Sequence, residues 1–286
     1  MKKVLTCFLF IILACFVEAS LTAVRTFLGF TYSLLIGFVL FFLVSYSCFK
    51  LTKSVRPHII LIMLFSGVSA LHLPPRFIDF QESAVSFPDY IFHSLGLVTG
   101  YAFYVMKSSN KWLVAGLAMA LTLFMFFKGY SMWLHKLNYD NYTGRYFARL
   151  PGFTAEDGQG NIVSNVSIAG KLVLMDVWHT RCGACFKKFP ALNELYLKYK
   201  DNQKVKIYAV NYPNESDRPA QAFEMITKRG YSFPVAKLKT VSMLDSLSVS
   251  VFPTTFVVNE KGYVVFKGSL ENGVKSLEKS INNLAH

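Results

Sequence analysis

Residues 171–190 read KLVLMDVWHTRCGACFKKFP, and the reading of the C-terminal half starts from them. Leu172-Val173-Leu174-Met175 is a short continuous apolar run, the pattern of a buried strand. Asp176-Val177-Trp178 carries that strand to its end. Cys182-Gly183-Ala184-Cys185 follows, and a helix is predicted from Phe186 to Lys200. Its Phe186, Phe189, Leu192, Leu195 and Tyr199 fall on one helical stripe, which is core. Two cysteines, two residues apart at a helix start, are placed for thiol–disulfide exchange. The unpaired N–H groups of the first turn and the helix dipole favour a thiolate. The thiolate is the form that attacks a disulfide, and the spacing lets the second thiol resolve the mixed disulfide. A metal site is the weaker reading. Zinc takes about four ligands, the chain has no second CxxC, and only His179 lies nearby.

This ordered set resembles the TlpA/ResA-like thiol–disulfide oxidoreductases of the thioredoxin superfamily. Trp178 stands four residues before Cys182, Asp176 six before it, and Pro190 five after Cys185. Far downstream, Val251-Phe252-Pro253-Thr254-Thr255-Phe256 looks like the family's cis-proline loop and the strand after it. The resemblance runs from Tyr146 to the C-terminus and implies a central mixed sheet flanked by helices. It implies Cys182 as nucleophile and Cys185 as resolving thiol. Asp176 becomes the buried carboxylate that moves protons to and from Cys185, its pKa raised by burial. Trp178, Phe252, Pro253 and Thr254 would line a groove for an extended protein substrate. The implied partners are proteins carrying cysteines or disulfides, served without a cofactor or a metal, in the reducing direction.

Three departures bear on redox poise. Ala184 stands where many relatives have proline, Arg181 precedes the nucleophile, and His179 replaces a small residue. A cation beside Cys182 lowers its pKa and stabilises the reduced form. Ala209 is aligned with thioredoxin's buried lysine. Together these predict a somewhat more oxidising pair than thioredoxin's. A disulfide oxidase or isomerase is therefore an open alternative, as is a Cu(I)-binding protein using Cys182, Cys185 and His179.

The chain is 286 residues long, 53% hydrophobic and carries a net charge of +13, with a mean hydropathy of +0.36. The apolar surplus lies almost wholly in residues 1–130. Basic residues outnumber acidic ones in both halves, and no basic stripe with interleaved aromatics suggests nucleic acid. Residues 1–20 combine Lys2-Lys3 with an apolar Val4–Val17 run. They fit a cleaved signal peptide, a lipoprotein signal ending at Cys15, or a retained first helix. Residues 21–129 hold four apolar stretches, at 26–49, 58–73, 90–106 and 112–127, and predict an all-α polytopic membrane region. Lysine and arginine concentrate on the cytoplasmic side of membranes. Lys2, Lys3, Lys50, Lys53, Arg56, Lys107 and Lys111 placed inside put the 74–89 loop outside, and the C-terminal domain with it. The reading is a multi-pass protein of the bacterial inner membrane with an extracytoplasmic domain and a membrane electron donor or acceptor. His72 and His135 read as interface residues, His93 as the one inside. Residues 130–145 read as an aromatic linker and 146–286 as the thioredoxin-like domain. There, turn signals at Asp157-Gly158 and Gly160-Asn161 suggest an initial hairpin. A strand at 205–210, a helix at 218–229, a hairpin over 254–267 and a helix at 270–284 complete the order.

Overall fold

The computed structural model describes residues 2–284 and divides between Leu134 and His135 into two compact units. The first unit is helical: α1 (Lys2–Leu28), α2 (Phe30–Leu51), α3 (Pro57–Ile78), a single turn α4 (Phe80–Ser83), α5 (Phe87–Val105) and α6 (Asn110–Phe124). A π-helical turn, Met125–Gly129, joins α6 to α7 (Tyr130–Tyr139). Among the described residues, four helical runs are long and apolar enough to cross a membrane: Leu5–Leu28, Phe30–Leu51, Pro57–Ile78 and Asn110–Tyr139. The nineteen-residue α5 carries Asp89 and His93 and buries both in the bundle.

Small residues bring these helices together, as in membrane bundles generally. A Cβ on Gly96 of α5 would stand 2.4 Å from the Phe38 carbonyl oxygen of α2. One on Gly67 of α3 would stand 2.6 Å from the Ile11 carbonyl oxygen of α1. The interior is Phe10, Ala14, Leu21, Phe41, Phe49, Ile60, Leu64 and Leu97, while Phe27, Leu51, Trp112 and Phe127 face outward. The apolar run expected to stop at Val17 does not stop there. Glu18 is buried, its carboxylate taken up by Arg25, His72 and His93. The charge that marks an end in the sequence is an interior group in the fold, and α1 continues to a break at Gly29, φ 92°.

The second unit holds one eight-stranded sheet. Its elements are β1 (Arg145–Arg149), β2 (Thr154–Glu156), β3 (Ile162–Ser164), β4 (Leu172–Trp178), α8 (Gly183–Tyr199), β5 (Val205–Asn211), α9 (Gln221–Lys228), β6 (Val235–Leu238), α10 (Ser242–Ser246), β7 (Thr254–Val258), β8 (Tyr263–Gly268) and α11 (Leu270–Leu284). The spatial order is β1-β8-β7-β4-β5-β6-β2-β3. β4 pairs in parallel with β5 and antiparallel with β7, so it is the central strand; all seven of its residues are buried. That explains its unbroken apolar pattern, since a strand covered on both faces need not alternate. The expected hairpin is β2–β3, and it extends the sheet beyond β6. Three elements are absent from the sequence reading: β1, which pairs with β8, the short β6, and α10. Residues 130–139 are helical, and a turn at Asp140, φ 58°, leads to β1.

Candidate active site

Cys182 is the N-cap of α8, in extended conformation (φ −85°, ψ 91°). Its sulfur accepts a hydrogen bond from the Cys185 backbone N–H at 3.0 Å. A disulfide joins Cys182 to Cys185. Cys185 is fully buried and Cys182 only 6% exposed, so the thiol nearer solvent is the one at the helix end. There the free N–H groups of the first turn stabilise a negative sulfur.

Asp176 sits on β4, between Ala209 of β5 and Thr255 of β7 in the register. Its Oδ1 accepts a hydrogen bond from the Thr255 hydroxyl at 2.6 Å, and its Oδ2 has no partner. Complete burial pushes its pKa up to about 7, against the Thr255 bond, which lowers it. Glu271, at the start of α11, raises it further, and Lys188, one turn after Cys185 on α8, lowers it. These two surface residues form an ion pair with each other. Ala209 opposite Asp176 supplies no ammonium, so the carboxyl lacks a buried cationic partner from that strand.

The loop before β7 carries a cis peptide bond between Phe252 and Pro253. Phe252 is half-buried between the rings of His179 and Tyr212, at centroid distances of 4.9 and 5.6 Å. His179 Nδ1 accepts the backbone N–H of Arg181 at 3.2 Å, which fixes that nitrogen as unprotonated in this arrangement. The Arg181 guanidinium reaches Ser216.

The AhpC/TSA family profile matches residues 148–267. Thiol-disulfide oxidoreductase ResA of Bacillus subtilis is 36% identical over 115 residues, 40% of this chain and 62% of that protein. A ResA of Bacillus cereus is 33% identical over 128 residues, 45% of this chain and 72% of that protein. The chain belongs to the ResA thiol–disulfide oxidoreductase family. Its match covers 62% of the length of ResA from Halalkalibacterium halodurans. Among solved structures, the thioredoxin domain of a thiol-disulfide oxidoreductase from Bacteroides vulgatus is similar, at 27% identity. It covers 48% of this chain and 96% of that one, with a TM-score of 0.41.

Within this ResA-family unit, Cys182, Cys185, Asp176, Phe252 and Pro253 come from β4, α8 and the loop before β7. Two residues expected in the groove are elsewhere. Trp178 is wholly buried, packed edge-on against Phe186 and Phe189. A large ring on a strand covered on both faces goes into the core, so Trp178 supports the site from beneath. The Thr254 side chain is also buried, its hydroxyl donating to the Val251 carbonyl at 2.6 Å. It ties the proline loop rather than lining a groove. The sequence reading missed Thr255, the partner of Asp176, and Lys267. The Lys267 ammonium, on a residue only 1% exposed, donates to the carbonyls of Leu247 (2.7 Å) and Ser248 (2.8 Å). It also missed Thr180, whose hydroxyl donates to Asp217 while accepting from Asn214. One signal was present: Lys267 continues the unbroken apolar run Val264-Val265-Phe266 of β8, where a strand covered on both faces predicts another core residue.

Proposed function

We propose that the protein is a membrane-anchored, extracytoplasmic thiol–disulfide oxidoreductase that reduces disulfides in other proteins through Cys182 and Cys185. The observation that carries this is the cysteine pair at the N-terminus of α8, with a buried, high-pKa carboxyl on the adjoining central strand. In the reduced protein the Cys182 thiolate attacks one sulfur of the substrate disulfide. The substrate S–S bond breaks, and an intermolecular disulfide joins Cys182 to the substrate. Asp176, as carboxylate, takes the Cys185 proton. The substrate sulfur that Cys182 did not attack has left as a thiolate in that first step. The Cys185 thiolate then attacks Cys182 and releases the sulfur it held, and both substrate thiolates take up protons from water or Asp176. Two electrons pass to the substrate, and the Cys182–Cys185 disulfide forms. A membrane dithiol or other electron donor must restore the reduced pair.

The extracytoplasmic placement rests on charge. Lys50, Lys53 and Arg56 flank the α2–α3 turn, and Lys107 and Lys111 flank the α5–α6 turn. With α5 counted as a crossing, five helices cross and carry the chain from an inside N-terminus to an outside C-terminus. The full chain in detergent, carrying Cys185→Ser, is expected to accumulate mixed disulfides with exported proteins, while Cys182→Ser accumulates none. Equal trapping by both variants would contradict the assigned roles. Ala184 in place of proline favours a second reading, an oxidase or isomerase, which a high redox potential would select.

A further inference from the structure

The helical unit contains a buried polar cluster that thiol chemistry does not use. Glu18 of α1, His72 of α3 and His93 of α5 are 2%, 5% and 0% exposed. One carboxylate oxygen and one ring nitrogen from each histidine all lie within 4.8 Å of one another, the one such group among the described residues. Glu18 Oε1 lies 2.7 Å from His72 Nε2 and accepts from the Arg25 guanidinium. Glu18 Oε2 faces His93 Nδ1 at 2.7 Å. Arg25 also donates through Nε to Asp89 at 2.7 Å, and Ser33 donates to the same Asp89 oxygen at 2.8 Å.

The geometry around His93 is informative. Its Nε2 lies 3.1 Å from the backbone carbonyl of Ser33, and a carbonyl can only accept, so that nitrogen carries a hydrogen. A neutral imidazole then turns the lone pair of Nδ1 toward the Glu18 carboxylate. Two acceptors in contact need a cation between them. An N–H donated to a backbone carbonyl is also how metal-bound histidines are oriented. His72 supplies a second nitrogen to the same space. Two histidines and one carboxylate are the ligand set of open, three-ligand sites for zinc or non-haem iron(II). The helices are held at the distance this needs: a Cβ on Gly37 of α2 would fall 2.0 Å from the His93 ring.

Access and charge fit as well. A cleft of about 360 Å³ opens beside the cluster, lined by Glu18, Thr22, Arg25, His72, Arg76 and Ser86. Without a metal, the carboxylates of Glu18 and Asp89 balance the guanidiniums of Arg25 and Arg76. A dication would leave an excess of positive charge, which an anion entering from the cleft at the open coordination position would reduce. Arg76 is 3.4 Å from His72 Nδ1 and bonded to the His72 carbonyl. Coordination through His72 Nε2 turns that weak side-chain contact away and keeps the carbonyl bond. We propose that Glu18, His72 and His93 bind one first-row divalent ion of the zinc or iron(II) class, with a coordination position open to the cleft.

The test uses the full chain in detergent with Cys7, Cys15, Cys48, Cys182 and Cys185 each replaced by serine, so no native thiol competes, stripped with a chelator and titrated with Zn²⁺ and Co²⁺. One equivalent per chain is expected. The cobalt spectrum should show ligand-field bands without thiolate charge transfer. Glu18→Gln and His93→Gln should each weaken binding by more than the roughly 10–100-fold that loss of an outer-shell partner costs. The exposed His58→Gln should leave binding unchanged. His72→Cys keeps three ligands and should add a thiolate-to-cobalt band, a positive signal that an unfolded variant would not give. The proposal is overturned if the parent chain binds neither metal, since a proton on His93 then bridges the pair. It is equally overturned if binding survives in Glu18→Gln and His93→Gln, or if His72→Cys binds cobalt without a thiolate band.

Discussion

A carboxyl sealed from water and given a single hydrogen bond holds its proton far above the usual aspartate range. Asp176 does so to about pH 7. Between about pH 4 and 7 the folded chain therefore binds a proton there that the unfolded chain has lost. Stability falls with rising pH across that window and levels off above it. The three-unit rise is worth at most about 4 kcal/mol. Asp176→Asn should then raise the stability of the C-terminal unit at pH 8 by up to that amount and flatten the slope, as read by denaturant unfolding at several pH values. The same variant should slow release of the mixed disulfide. Thr255→Val removes the one donor to the carboxyl and should cost roughly 1–3 kcal/mol, the usual penalty for a buried group left unpaired, in the same assay. At this scale the sequence was legible wherever chemistry dictates spacing: Cys182, Cys185 and Asp176 are where the motif puts them. Trp178 and Thr254 were not, because burial is decided by strands far away in the chain.

Among the elements, β4, α8, β5, β7, β8 and α11 could be read from period and length. β1 could not, because Arg145-Tyr146-Phe147-Ala148-Arg149 looks like a connector until β8 is there to pair with it. Nor could β6, four residues long. The loop between α10 and β7 depends on a residue outside it. Lys267→Met leaves the Leu247 and Ser248 carbonyls without their donor. It should cost about 2 kcal/mol and loosen residues 247–253, measured as faster amide exchange there with little change in β4. In the helical unit, Gly96→Ala would force a methyl onto the Phe38 carbonyl. Overpacking of this kind costs about 1–3 kcal/mol, and a matching loss of thermal stability in detergent is expected.

For the whole molecule, the change from apolar to mixed composition near residue 130 reveals two parts, and the structure divides at 134/135. The Glu18, His72 and His93 cluster was illegible, because its members are spread over 75 positions: Glu18 and His72 each resemble a helix-end residue, and His93, read as lying inside, had no visible partner. The proposed orientation has a direct consequence. In a background lacking all five native cysteines, a cysteine at exposed Glu82 should react with an impermeant maleimide on intact cells. One at exposed Ser108 should react only after lysis. The reverse pattern would place the thiol unit in the cytoplasm.

The central claim is reversible two-electron exchange at Cys182 and Cys185 in the service of reduction. Its most direct test is the equilibrium of the full chain in redox buffers of stepped potential, read by thiol alkylation and mass. A single transition confined to these two cysteines, somewhat above thioredoxin's roughly −270 mV but nearer to it than to about −120 mV, is the predicted result. A transition towards about −120 mV would contradict the reducing direction. The absence of any transition would contradict the redox function itself.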